Sequence, residues 1–259
     1  MTGMTERLYR AETIKCRHTV WGKLWIFMPV LTLVLAYGIS GNYGTSSAYN
    51  WWYTLMMQGM VTLYCCLAGG LDRERKNRVV LSVPVKLGKI WDAKLLAGIK
   101  TVIFSNLLLT LGILALANGL LPLLGLASSM EIGLGQAALA AGVMMVSTLW
   151  QIPFCFWMNQ KWGLLPTLII NMVMTAAGVV LAVTPLWLAF PWAVLPRLMV
   201  SVVGILPNGL PVSPESITYH PQIGDPGCIL PGILVTLIWL AALWAASRIW
   251  YGRKGAQTV

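Results

Sequence analysis

Few residues in this 259-residue chain could do chemistry, and their types and spacing are wrong for catalysis. The two histidines, His18 and His220, fall on opposite predicted sides of the membrane, and no H-E-x-x-H pair exists to hold a zinc ion. The five cysteines (Cys16, Cys65, Cys66, Cys155, Cys228) lack C-x-x-C spacing, so neither a disulfide framework nor a metal site is expected. Most lie in apolar runs, where a thiol behaves as a small hydrophobe. No G-x-x-x-x-G-K-[ST] loop occurs to cradle a nucleotide phosphate, and no G-x-S-x-G turn presents a nucleophile. The apolar runs hold no paired carboxylates and no unambiguous mid-membrane ionisable group, which proteolysis or a proton relay would require. Lys100 comes nearest, and its long stem suits snorkelling to an interface better than coupling. The expectation is a chain that is not itself an enzyme, with no cofactor and no energy source of its own.

Two segments have a composition suited to recognition. The first is the mixed-charge stretch 72–94. Up to Ser82 it reads as one short helix carrying Glu74, Arg78 and Leu81, after which Pro84 and Val85 force a turn. A new helix can start near Leu87 and run through Lys94. A rigid helix end of this kind can dock into a groove of a partner protein and transmit a push. The alternative is a solvated basic loop resting on anionic headgroups. The second segment, 186–226 with its bounding Pro185, holds eight of the fourteen prolines yet is apolar in its first half. Connections this long are often functional. Trp187 and Trp192 could hold the apolar face of an amphipathic ligand, and Glu131, Glu215 and Asp225 are the only carboxylates nearby for its cationic side. Arg197 is the exception in sign. The alternative is that this stretch caps the bundle and touches a partner subunit.

The elements that must position these residues are membrane spans. Hydrophobic residues make up 58% of the chain and charged ones 10%, against about 25% charged in soluble domains. A mean hydropathy of +0.74 agrees. Uncharged runs place six spans near 24–39, 51–70, 97–119, 136–157, 164–185 and 228–247 within a single domain, 1–259. The 48 uncharged residues between Lys23 and Asp72 would make a helix of about 70 Å, so they must fold back, at the polar stretch Ser40–Ser47. The net charge of +10 is not a nucleic-acid footprint, because the basic residues flank apolar runs. Seventeen of the eighteen fall on the side holding both termini, which is therefore cytoplasmic. Met158–Gly163 makes a second, smaller contact on that side. In 4–20, Met4, Leu8, Ala11 and Ile14 recur at helical spacing among basic residues, which predicts an amphipathic interfacial helix. A disordered positive tail is the other reading.

A six-span chain of this design resembles the permeases of type-2 ABC exporters. The carrying residues are Lys76-Asn77-Arg78 through Pro84-Val85, Tyr49-Asn50-Trp51-Trp52-Tyr53, Leu63-Tyr64-Cys65-Cys66-Leu67, Phe190 to Met199, and Leu206-Pro207-Asn208-Gly209. In their order and spacing they look like lantibiotic self-immunity permeases along nearly the whole chain. That resemblance implies an all-α polytopic protein with an N-terminal interfacial helix, a cytoplasmic coupling helix between spans two and three, and short re-entrant external helices between spans five and six. It further implies a bacterial plasma-membrane subunit that works with an ABC ATPase dimer, which binds the ATP and Mg, and with a second permease of similar fold. Its substrate would be a cationic antimicrobial peptide expelled from the membrane, and its surroundings membrane lipids. Glu74, Arg78, Leu81, Pro84 and Val85 would form the ATPase contact. The alternatives are a permease for another antimicrobial or lipid-like compound, as in bacitracin-type exporters, and a membrane immunity or scaffold protein that sequesters peptide without ATP.

Overall fold

The structure is a computed structural model and describes residues 3–17, 19–74, 80, 82, 84–215 and 223–254. Among them the fold is all-helical, and the one β contact is an isolated bridge between Ile205 and Pro211. Five helical stretches are long and apolar enough to cross a membrane: Trp21–Arg73, Leu87–Leu123, Leu134–Trp162, Leu164–Leu181 and Pro226–Arg253. No single straight helix fills the first of these. After α1 (Gly3–Arg17), α2 (Leu24–Ser40) ends at Gly41, whose φ of +52° reverses the chain. Then α3 (Gly44–Trp51) packs back along α2. The approach is close because Gly44 lies against the Tyr37 ring, where a Cβ would clash. One π-helical turn, Trp52–Met56, joins α3 to α4 (Met57–Glu74).

The remaining helices are α5 (Leu87–Ala115), α6 (Leu134–Thr148), α7 (Gln151–Trp162), α8 (Leu164–Leu181), α9 (Pro191–Val203) and α10 (Ile229–Lys254). α6 and α7 form one path with a break at Leu149-Trp150. Pro153 explains it, since proline cannot donate to the carbonyl four residues back. The ladder there tightens to three-residue bonds, with Ile152 N donating to Leu149 O at 3.1 Å. The α7–α8 boundary is set by Gly163 at φ +91°.

Lipid tails supply no hydrophobic drive between helices, so contact depends on small residues and polar pairs. Gly69 of α4 faces Phe156 and Asn159 of α7, and Gly98 of α5 faces Ile152. A Cβ at Gly98 would lie 2.7 Å from the Ile152 methyl. Around these contacts Trp52, Trp91, Trp150, Tyr53 and Phe156 are fully enclosed. α9 is the unusual element. It is too short to span, yet ten of its residues from Ala193 to Val203 are buried, and it packs on α6, α8 and α10. Pro191 occupies the first turn, where no N–H is needed, whereas Pro196 lies inside the helix and removes the bond to the carbonyl four residues back.

An elbow joins α1 to α2. Thr19 N and Oγ1 both donate to Cys16 O, at 3.1 and 2.6 Å, and Gly22 N donates to Thr19 Oγ1 at 3.3 Å. A Cβ on Gly22 would collide with the Cys16 carbonyl. Gly22→Val should therefore open the elbow at a cost of about 1–3 kcal/mol. Faster proteolysis within α1, with the rest of the chain intact, is the expected readout.

Candidate functional site

The densest chemistry lies where α4 leaves the bundle and α5 enters it. Lys94 of α5 is 2% exposed, in a protein with few charges. Its Nζ donates to Glu12 Oε2 of α1 at 3.0 Å and to Asp72 Oδ2 of α4. Lys15 donates to Glu12 Oε1 at 2.7 Å and to Asp72 Oδ1 at 3.3 Å. Two ammonium groups and two carboxylates thus balance, joining three helices. The balance matters, because a buried charge is tolerated only when it is paired and hydrogen-bonded. Beside the cluster, burial raises the pKa of the Cys16 thiol above its ordinary value, and the Glu12 charge raises it further.

α10 is tied to the same end. Trp91 stacks on Tyr251 at 4.6 Å, and its Nε1 donates to Ser247 Oγ at 2.9 Å. Asp92 accepts from Arg248 Nε at 2.9 Å and from Trp244 Nε1 at 2.8 Å. The helix that follows the 75–86 connection is therefore held to α1 and α4 on one side and to α10 on the other.

Of the expected partner-docking residues, the structure places the Glu74 backbone, Pro84 and Val85. Glu74 closes α4, while Arg78 and Leu81 lie outside the described residues. Pro84 is exposed and Val85 half-buried in the turn before α5, and Val80 is buried against the core. The structure thus sets Pro84 and Val85 side by side at the start of the clamped helix. Sequence reasoning missed Glu12, Asp72 and Lys94 as a group. A usable signal was present: Lys94 falls on the α5 face that carries Trp91, Leu95 and Gly98, all core-facing positions.

The second candidate set is dispersed. Trp187 is half-buried, with the Arg197 guanidinium 5.7 Å from its ring centre. Burial lowers the pKa of Arg197, and the nearby Cys228 and Asp225 oppose that. Trp192 turns elsewhere. Its Nε1 donates to Asn171 Oδ1 of α8 at 2.8 Å, and its ring meets Trp150, Phe154 and Phe190 at 4.7, 5.4 and 5.2 Å. Glu131, Glu215 and Asp225 are exposed, Glu131 in the connection before α6 and the other two between α9 and α10; Asp225 caps the turn before α10 by accepting from Gly227 N at 2.8 Å. The turn at Pro207–Gly209 docks on the α3 end, where Asn50 Nδ2 donates to Pro207 O at 3.2 Å and Tyr53 Oη to Leu206 O at 3.4 Å.

A polar track also runs between α4, α7 and α8. Asn171 Nδ2 donates to Thr62 Oγ1 at 2.7 Å, Asn159 Nδ2 to Cys66 O at 3.1 Å, and Gln160 Nε2 to Gly69 O at 3.2 Å. These bonds fix helix register in a lipid setting. Among the described residues no group of three or more His, Cys, Asp or Glu side chains is placed to hold a metal ion. No family model matches the chain, and comparisons with curated proteins and with solved structures give no match.

Proposed function

We propose that this chain is the membrane subunit of an ATP-driven exporter, that it makes six passes with both termini in the cytoplasm, and that its 72–94 segment receives the stroke of a separate ATPase dimer. The observation that carries the reading is the clamp at that segment. A connection that bore no load would not need its two flanking helices bound to α1 by a four-charge cluster with three buried members and to α10 by an ion pair. The six passes follow from counting the reversal at Gly41 as the boundary of a helical hairpin, so that Trp21–Arg73 crosses twice. The orientation follows from charge: seventeen of eighteen Lys and Arg residues then face the cytoplasm, and the opposite face keeps Glu131, Glu215, Asp225 and Arg197. That acidic outer balance favours a cationic substrate, and the apolar α9 region favours an amphipathic one. A cationic antimicrobial peptide removed from a bacterial plasma membrane, with a second permease of similar fold completing the pathway, satisfies both.

The test is a Pro84→Ala, Leu81→Asp variant, expressed with the candidate ATPase and the second permease. It should insert and assemble at the parental level but lose peptide-stimulated ATP hydrolysis by at least about fivefold, the lower range of a coupling free energy. Full stimulation would remove this segment from the coupling role. Peptide protection by the chain expressed without any ATPase would favour a sequestering immunity protein instead.

A further inference from the structure

The ionic clamp holds only one side of α1. On the other side, between α1, the start of α2 and α5, lies a chamber of about 740 Å³, a size that suits a small amphiphile. Its wall is apolar, with Ala97, Ile26 and Phe104 among the lining groups. Among the described residues its charged lining is all of one sign: Arg10, Arg17, Lys23 and Lys100, with no carboxylate. Arg10 is already paired with Glu6 at 2.6 Å. The other three side chains are exposed, and Lys100 leans over the Phe104 ring at 5.9 Å. Of the two acids on α1, Glu6 is taken by Arg10 and Glu12 is turned into the clamp, committed to Lys94 and Lys15.

We propose that this chamber binds one anionic phospholipid, with its phosphate among Arg17, Lys23 and Lys100 and an acyl chain against Ala97, Ile26 and Phe104. Charge complementarity selects the occupant. A cationic peptide would be repelled by the rim, and a zwitterionic lipid brings a cation along with its phosphate and so offsets none of the net positive charge. A free phosphate would leave the apolar wall uncovered. Basic pockets between helices near the cytoplasmic interface are suited to anionic headgroups, and Tyr9 and Trp25 supply the amphipathic rings that favour that depth. The inference does not depend on the exporter reading; it requires only that the chain lie in a membrane. Its consequence is that lipid would seat α1 from the side opposite the clamp.

The test is binding to the full chain in neutral detergent, read by native mass spectrometry and thermal shift. The probes are phosphatidylglycerol, phosphatidylcholine with the same acyl chains, and water-soluble glycerol phosphate. Phosphatidylglycerol should bind at least about tenfold more tightly than phosphatidylcholine, with the difference shrinking as salt is raised. Arg17→Gln, Lys23→Gln and Lys100→Gln combined should bring it to the phosphatidylcholine level. These are exposed side chains outside the clamp, so folding should survive. Ala97→Leu, which fills the apolar wall, should weaken both lipids. Equal binding of the two lipids, or a triple variant that keeps the preference, would overturn the proposal. Glycerol phosphate binding as tightly as phosphatidylglycerol would overturn it as well, because the site would then be one for free phosphate.

Discussion

Lys94→Met should destabilise the protein by about 3–5 kcal/mol, the usual cost of removing one partner from a buried ion cluster. The substitution keeps length and apolar stem, so little of the loss comes from packing. It comes from Glu12 and Asp72, 8% and 6% exposed, which would face each other with only Lys15 to compensate them. Unfolding of the purified chain in detergent should show a clearly lower midpoint, and α1 should become protease-sensitive first. An unchanged midpoint would mean that the cluster is hydrated and does not bind the helices together. Replacing all three buried members together (Glu12→Leu, Asp72→Leu, Lys94→Met) separates stability from coupling. Apolar replacement of a whole buried ion cluster is often neutral or stabilising by about 1–4 kcal/mol. The triple variant should therefore regain its midpoint. If the clamp passes motion from the 72–94 segment into α1, the variant should still fail in peptide-stimulated ATP hydrolysis. Restored stimulation would make the cluster a fold device only.

The helices were legible in the sequence for a simple reason: unbroken apolar runs of about 20 residues bounded by charge satisfy their own backbone in lipid only as helices. The turn-back at Gly41 was legible too, because the polar stretch Ser40–Ser47 interrupts a run too long to be one helix. The helical start near Leu87 follows from Pro84. The clamp was not legible, because the bonds that join its helices link residues 22, 57 and 82 positions apart, and only Glu12–Lys15 has a local spacing. The sequence places Lys94 on a helix starting near Leu87, but nothing local shows that this one basic residue turns inward to carboxylates on α1 and α4. The chamber was hidden for the same reason, since α1, α2 and α5 meet only in three dimensions. The π turns at Trp52–Met56 and Leu116–Leu120 have no sequence signature that we recognise.

Trp192 and Trp187 offer the sharpest division between scaffold and substrate contact. Trp192→Ala should cost about 3–5 kcal/mol, the range for removing a large aromatic group from a packed site. Its indole fills the space between α8 and α9, meets three aromatic rings and satisfies Asn171 Oδ1. Trp192→Phe keeps much of the ring contact and loses the N–H, so it should cost only about 1–3 kcal/mol. Gly178→Val is the matching change on the other helix. A Cβ there would meet the Trp192 backbone, so α9 would have to move away from α8. Trp187→Ala is different in kind. It removes a ring beside the buried Arg197 guanidinium, worth about 0.5–2 kcal/mol, and leaves the α8–α9 contact in place. If an amphipathic peptide is held near α9, Trp187→Ala should reduce protection per folded molecule, with basal ATP hydrolysis and assembly unchanged. Trp192→Ala should reduce protection only as far as it reduces the amount of folded protein. Both tryptophan variants tracking folded protein would place the peptide contact elsewhere, and the polar track of Thr62 and Asn171 between the helices would be the next surface to probe.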